Sequence, residues 1–145
     1  MRVVSFDELT AGEAYELWRL RQQVFVVEQQ SPYPDLDGRD LEPATRHVLA
    51  HDGPDLVACL RVLDDGTHAR IGRVAVTPAA RGRGLARELM QAALGEIGER
   101  EVRLDAQTQL TGWYSGYGFE VSGPEFVEDG VAHRPMVRQA GAATE

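Results

Sequence analysis

The sequence lacks two residue types whose absence narrows its chemistry. It contains no lysine and no asparagine, and all fifteen of its basic residues are arginine. Catalysis through a lysine Schiff base is therefore excluded. Cys59 is the single cysteine, so an intramolecular disulfide is excluded as well.

Long hydrophobic runs are also missing. No run approaches the roughly 18 apolar residues of a membrane span, and residues 1–7 lack the apolar core of a signal peptide. We therefore expect a cytoplasmic protein without membrane contact. The net charge of −8 at pH 7 argues against nucleic-acid binding by bulk electrostatics.

The remaining composition is that of an ordinary globular domain. Hydrophobic residues make up 43% and charged residues 26% of the chain, and 145 residues suffice to bury one core. Neither a repeat nor a linker divides the sequence. We expect one domain over residues 1–138, followed by a frayed tail rich in alanine and glycine over residues 139–145.

Residue patterns predict alternating strands and helices along the chain. Thr10 and Glu13 form a capping box that begins the first helix. A hairpin turn is predicted at residues 128–130, and Pro135 favours an edge or bulge position for the last strand. Strands are predicted at residues 2–6, 47–51, 56–63, 68–76, 101–106, 118–121 and 133–137.

The stretch from residue 71 to residue 97 organises the chain. A β-branched strand ends at Thr77-Pro78, and a basic glycine turn leads into a helix with apolar residues at every fourth position. Free N–H groups at the helix start, the helix dipole and the flexible glycines all favour a bound anion such as phosphate. The alternative is an ordinary basic loop, because the turn matches neither a Walker loop nor the dinucleotide fingerprint.

A resemblance to a known family makes the phosphate interpretation more specific. Arg81-Gly82-Arg83-Gly84-Leu85-Ala86 resembles the Arg/Gln-x-x-Gly-x-Gly/Ala signature of the GCN5-related N-acetyltransferases. Residues 25–29, 32–33, 35–40 and 45–47 resemble the ElaA-type branch of that family. The resemblance implies an α/β fold with a mixed, largely antiparallel sheet of six to seven strands and helices on both faces.

The resemblance also implies where acetyl-coenzyme A, the co-substrate, would bind. The arm of the coenzyme would lie along Val74, Ala75 and Val76, and the backbone N–H of Val76 would polarise the thioester carbonyl. The asparagine that many relatives carry beside the arm has no counterpart here, so Gln107 or Gln109 is its candidate replacement. The pyrophosphate would bind to the turn and helix start, with Gly82 serving the turn itself: Arg81, Gly82, Arg83, Gly84, Leu85 and Ala86.

Tyr114 is the predicted general acid. Residues 113–119 resemble the family's aromatic-Tyr-x-x-x-Gly-Phe segment, in which the tyrosine protonates the departing thiolate. A coenzyme thiol has a pKa of about 8.5, so a tyrosine held near the sulfur is a workable proton source. Without the resemblance, Tyr114 would be interpreted as a core aromatic, and Tyr117 is the competing phenol.

The general base is less defined by the sequence. The candidates are Glu28, Asp35, His47 and His133. The histidines do not have the spacing of a metal site, so no metal is expected. Acidic residues between 35 and 42 suggest a cationic amine acceptor, whereas an EF-hand is rejected because its glycine and glutamate positions hold other residues.

These observations favour an N-acetyltransferase acting on a primary amine of a small molecule or peptide. Cys59 lies in an apolar run without a charged neighbour and is expected to be a buried core residue. We therefore expect direct transfer in a ternary complex, without an acyl-enzyme. The alternatives are a non-catalytic sensor or interaction module that binds coenzyme A, and transfer of a longer acyl group. A homodimer through edge strands stays open.

Overall fold

The computed structural model describes residues 1–141. Within that range the chain forms one sheet of eight strands, in the order β1-β2-β3-β4-β5-β8-β6, with β7 paired to β8. Every pair is antiparallel except β4 with β5. The strands are β1 Arg2–Val4, β2 Arg46–Asp52, β3 Asp55–Asp64, β4 Ala69–Val76, β5 Val102–Gln107, β6 Glu120–Val121, β7 Phe126–Glu128 and β8 Val131–Arg138.

Three α-helices accompany the sheet in the described range. They are α1 Ala11–Arg21, α2 Leu85–Ile97 and α3 Thr111–Ser115. The predicted capping box is confirmed, since Thr10 Oγ1 accepts from the Glu13 N–H at 3.1 Å. The first helix continues as a π-helical segment, Gln22–Glu28. The long irregular loop begins at Ser31. Short 3₁₀ turns cover Phe6–Glu8, Arg39–Leu41, Pro78–Ala80 and Thr108–Leu110.

The two faces of the sheet are covered by different helices. Consecutive residues of β2, Val48 and Leu49, point to opposite faces. Leu49 packs with Leu17 of α1, whereas Val48 packs with Leu89 of α2. The prediction of a mixed, largely antiparallel sheet with helices on both faces is confirmed. The sheet has one strand more than the upper expectation, because both short segments after α3 pair with β8.

The prediction for Pro135 is wrong. β8 lies inside the sheet, and its register with β5 runs unbroken through the Asp105–Pro135 pair. Ser122 N–H donates to the Pro135 carbonyl at 2.8 Å. The nitrogen and oxygen of one residue point to the same side of an antiparallel strand, so the missing N–H faces the gap between β6 and β7. The proline ring fills that gap, where a Cβ on Gly123 would lie 2.9 Å from its Cγ.

The end of the chain carries one anchoring contact. Gly141 N–H donates to the Glu99 carbonyl at 2.7 Å, so the polypeptide is still tied to the domain at that residue. The predicted frayed tail over residues 139–145 otherwise falls on residues 142–145, which lie outside the described residues.

Candidate active site

A cleft opens between β4 and β5, the only parallel neighbours among the described strands. The two strands pair at Ala69–Val102 and Arg70–Arg103 and then diverge toward their carboxyl ends. A cavity of about 230 Å³ lies between them. Its walls include residues of β4, β5 and α3, the β7–β8 hairpin and the segment after the π-helical turn. Because parallel strands end at the same edge, the loops after β4 and β5 flank the open end of this cleft.

A β-bulge interrupts β4 beside the cleft. Cys59 pairs with Ala75 and Arg61 pairs with Gly72, so two residues of β4 oppose the single residue between Cys59 and Arg61 on β3. The first of the two, Arg73, has a φ of +52°. A left-handed conformation costs a residue other than glycine roughly 1–2 kcal/mol. Contacts elsewhere must therefore stabilise Arg73 in this conformation.

The backbone of Val76 faces the cleft side of β4. Thr77 N–H donates to the Val57 carbonyl at 2.9 Å, and hydrogen bonding alternates along an antiparallel ladder. Val76 therefore directs both its N–H and its carbonyl away from β3, and the carbonyl accepts from Arg81 Nε at 3.1 Å. Of the other predicted arm residues, Val74 lines the cavity, whereas Ala75 is buried with α1.

The basic turn has the backbone conformation of an anion cradle. Gly82 and Gly84 have φ values of +81° and +76°, which favour glycine. Gly84 is the N-cap of α2 and supplies no side chain to its first turn, so the N–H groups of Leu85 and Ala86 are left for another acceptor. Open space surrounds the α-carbons of both glycines, because an added Cβ would meet no atom within 4 Å.

The arginines of the turn are engaged in ion pairs with side chains from other elements. Arg81 makes a two-pronged pair with Glu28 at 2.6 Å per bond, and this pair lowers the pKa of Glu28. Arg83 lies 3.1 Å from Asp52, with both side chains exposed. Glu28 is absent from the cavity wall. The structure therefore separates this candidate base from the site and gives it a weakly basic carboxylate.

Tyr114 lines the cavity from α3 and is 7% exposed. Its ring packs edge-on against Trp113 and Phe119, at centroid distances of 4.9 and 6.2 Å. Burial, with a smaller contribution from Tyr117, raises the pKa of Tyr114 to about 12. The competing phenol, Tyr117, packs against Trp113 and does not line the cavity. The geometry thus distinguishes the two tyrosines, which the sequence alone could not do.

His133 is the candidate base that the structure places on the cavity wall. It lies in β8 and stacks on Phe126 at 5.7 Å. Its Nδ1 is 2.8 Å from the Val131 carbonyl. A carbonyl can only accept, so Nδ1 carries the hydrogen and Nε2 is left as a proton acceptor. His47, by contrast, is fully buried away from the cavity, and its pKa is lowered by burial.

Gln107, the candidate replacement for the missing asparagine, also lines the cavity. It ends β5, opposite His133 of β8. Gln109 Nε2 donates to its side-chain carbonyl at 2.9 Å. That contact orients the amide, so the NH₂ group of Gln107 is the part available to a ligand.

The carboxylates of the acidic loop are paired with arginines, so the loop offers little free negative charge to a cationic acceptor. Asp35 and Asp40 are buried and pair with Arg21 at 2.9 and 2.8 Å. Arg61 lies 3.2 Å from Asp40 and 2.6 Å from Asp37. Burial alone would raise the pKa of Asp40, but Arg21 and Arg61 outweigh it and hold that pKa below its usual value. Asp35 and Asp40 are therefore neutralised inside the protein, and Asp37 is neutralised by Arg61 at its surface.

Three further features bear on the chemistry. Cys59 is 1% exposed, and burial raises the pKa of its thiol to about 12, which confirms a core role. Among residues 1–141, no group of three or more histidine, cysteine, aspartate or glutamate side chains could hold a metal ion. In the same range, no helix is long and apolar enough to span a membrane.

The splayed β4–β5 cleft, followed by the glycine turn and α2, is the architecture of an acyltransferase fold. The model of the acetyltransferase (GNAT) domain family matches residues 11–140. The chain therefore belongs to the GNAT family, as its sequence predicted. The ElaA protein of Escherichia coli is 39% identical over 140 residues, spanning 92% of each chain. A UPF0039 protein of Mycobacterium tuberculosis is 43% identical over 152 residues, spanning 100% of this chain and 96% of that protein.

Solved structures agree with this assignment. The crystal structure of E. coli ElaA superposes with a TM-score of 0.89 at 37% identity, covering 95% of this chain and 97% of that one. An acyl-CoA N-acyltransferase from Pseudomonas aeruginosa gives 0.87 at 38% identity, covering 94% and 97%. An aminoglycoside 6′-N-acetyltransferase solved with coenzyme A gives 0.70 at 16% identity, covering 94% and 96%, and shows the shared fold.

Sequence analysis missed the closure of the cavity by two distant segments. Ser31 Oγ donates to the Asp129 carbonyl at 2.6 Å, across 98 residues of sequence. Phe25 and Tyr33 form an edge-on aromatic pair on the same wall, at 6.4 Å. The hairpin turn at Asp129 was predicted, but only the sheet order places it opposite Ser31. No local signal carries that information.

Proposed function

We propose that the protein transfers an acetyl group from acetyl-coenzyme A directly to a primary amine. The observation that carries the proposal is the position of Tyr114 on the wall of the cleft whose open end lies beside the glycine turn. Membership of the GNAT family supports the reaction class. The Pseudomonas aeruginosa relative solved as an acyl-CoA N-acyltransferase shares this fold.

The residues around the turn fit the anionic part of acetyl-coenzyme A. The uncapped N–H groups of Leu85 and Ala86 and the open approach at Gly82 and Gly84 suit a pyrophosphate. The guanidinium of Arg83 is exposed and would add charge-assisted hydrogen bonds. Arg81 would do so after exchanging Glu28 for phosphate. Val74, Val76 and Gln107 would contact the arm along the cleft.

Three groups of this chain would act on the transfer itself. The amine nitrogen bonds to the acetyl carbonyl carbon while the carbon–sulfur bond breaks. Val76 N–H stabilises the negative charge that develops on the carbonyl oxygen. Tyr114 donates its proton to the departing sulfur. His133 Nε2 takes the proton that the amine loses, directly or through one water.

Exchange of tyrosine for phenylalanine tests this proposal with a matched control. Tyr114→Phe should lower kcat about 100-fold through loss of the acid and leave the acetyl-coenzyme A affinity unchanged. Tyr117→Phe removes a neighbouring hydroxyl outside the cavity and should retain kcat. Thiol release with an amine panel measures turnover, and buried Cys59 adds no background. Full activity of Tyr114→Phe would contradict the proposed acid.

Calorimetric titration with acetyl-coenzyme A separates the enzyme from the alternative of a non-catalytic sensor. A sensor would bind the coenzyme, turn over no amine of the panel and be indifferent to Tyr114→Phe. Arg83→Ala should weaken binding about tenfold, because one charge-assisted contact to phosphate is lost. An absence of any binding would contradict both functions.

A further inference from the structure

The bulge in β4 decides which backbone groups face the cleft. Before the bulge, Asp65 N–H donates to the His68 carbonyl at 3.0 Å. Hydrogen-bonded and non-hydrogen-bonded pairs alternate along an antiparallel ladder. Counting from that bond, the Arg61–Gly72 pair should also be hydrogen-bonded. If this register continued without an extra residue, Val57 would pair with Val76, whose N–H would point into β3. The extra residue shifts the register by one and reverses the alternation.

The bulge therefore turns the N–H of Val76 toward the cleft. After it, the bond from Thr77 to Val57 places Val76 in a pair without ladder hydrogen bonds. Ala75, by the same alternation, bonds to Cys59 of β3. The candidate oxyanion donor thus depends on one residue, Arg73, keeping its left-handed conformation.

Glycine is the residue that favours such a bulge position, yet the sequence places its glycine one residue earlier, at position 72. The side chain of Arg73 is instead held by the loop that follows the π-helical segment. Its Nε lies 2.8 Å from Asp35 Oδ1, and Nη2 donates to the Asp35 carbonyl at 3.3 Å. The guanidinium lies over the ring of Tyr33, 5.2 Å from its centroid.

The anchor is itself rigidly held. Tyr33 Oη donates to Asp35 Oδ1 at 2.7 Å, and buried Arg21 of α1 donates to Asp35 Oδ2 at 2.9 Å. Asp35 is therefore fixed from α1, from its own loop and from β4. Movement of this loop would be transmitted to the backbone of the bulge.

We propose that Arg73 is a positioning residue: its contacts with Asp35 and Tyr33 hold the bulge that aims the Val76 N–H at the reacting carbonyl. The loop after the π-helical segment, which forms the wall of the cleft where Tyr33 lies, thereby sets the oxyanion donor. The catalytic part of this inference rests on the proposed acetyl transfer. The structural part, that Arg73 holds the backbone of the bulge, does not depend on that reaction.

Two substitutions at one position separate backbone conformation from side-chain contact. Arg73→Ala removes the anchor and keeps the strain, so the bulge should relax and kcat should fall about 100-fold. Arg73→Gly also removes the anchor but adopts a positive φ without strain, so kcat should largely recover. Both variants should still bind acetyl-coenzyme A, because the glycine turn that takes the pyrophosphate is untouched. Arg103→Ala, an exposed paired arginine of β5, is the control and should behave as wild type.

Amide hydrogen exchange of β4 gives a readout that needs no activity. In the wild type and in Arg73→Gly, Ala75 should be protected and Val76 should exchange quickly; in Arg73→Ala this order should invert. Equal loss of kcat in the alanine and glycine variants, or an unchanged exchange pattern in Arg73→Ala, would overturn the inference. Should the alanine variant not fold, a large loss of kcat in Arg73→Gly would by itself overturn the inference. If the wild type showed no turnover, the proposed acetyl transfer would be contradicted. Hydrogen exchange would still test the role of Arg73 in holding the bulge.

Discussion

At the scale of single residues, burial rather than contact with charge sets the acidity of Tyr114. A pKa near 12 keeps its proton on the oxygen throughout the neutral and mildly alkaline range. The residue therefore still carries its proton in the mildly alkaline range, where amine acceptors begin to lose theirs, and can donate a hydrogen bond there. Burial has the same effect on Cys59, which is inert for the same reason.

Tyr114 should also make the protein sensitive to alkali. The folded-state pKa lies above the ordinary value of 10.0, so its contribution to stability is complete below pH 10 and is lost as the pH rises toward 12. Near pH 11.5 the loss should reach about 2 kcal/mol. Urea unfolding of wild type and Tyr114→Phe at pH 9 and 11.5 measures the difference. A difference that stays constant between the two pH values would contradict the assignment.

Substitution of Arg21 tests how much the buried ion pairs beneath the loop contribute to the free energy of unfolding. Arg21→Met should cost about 3–5 kcal/mol of unfolding free energy, since Asp35 and Asp40 would each lose a buried partner. Arg19→Met, two residues earlier on the same helix, is a matched control. The side chain of Arg19 is 72% exposed and its pair with Glu16 spans 3.8 Å, so its loss should cost under about 0.5 kcal/mol. Similar denaturation midpoints for both variants would refute this account.

At the scale of elements, the start of α2 depends on a glycine conformation and its interior does not. Gly84 has a φ of +76°, whereas Gly95 lies within the helix. Gly84→Ala should destabilise by roughly 1–2 kcal/mol, the cost of a left-handed alanine. Gly95→Ala meets no atom within 4 Å and should stabilise by roughly 0.5–1 kcal/mol. Thermal melts of the two variants should move in opposite directions.

The elements also show what sequence could and could not predict. Periodicity and capping located α1, α2 and the five long strands, β2 to β5 and β8, because these signals are local. Pro135 misled the analysis, since the gap that accommodates it depends on two strands that are distant in sequence. The bulge could not be predicted, because the residue with positive φ is Arg73 and not a glycine. The ion pairs of Asp35 and Asp40 join segments that only the tertiary fold brings together.

At the scale of the whole molecule, the absence of lysine has a practical consequence. With no lysine, the chain carries one primary amine, its α-amino group, and Met1 is 56% exposed. Incubation with acetyl-coenzyme A should therefore add at most one acetyl group to the protein. Intact-mass spectrometry checks this expectation, and a second acetyl adduct on nitrogen would contradict it. Beyond that single equivalent, turnover in an amine panel reports on added acceptors alone.

The contact between Ser31 and Asp129 has a consequence for the order in which the protein matures. Segments 98 residues apart must meet before the cavity closes, and β8 must dock on β5 before that wall of the cleft is complete. Contacts this distant in sequence form late in folding, after the entropy of closing a long loop has been overcome. A chain still emerging from the ribosome therefore has the glycine turn and α2 long before it has a working cleft, and nascent chains should be inactive until β8 has been synthesised.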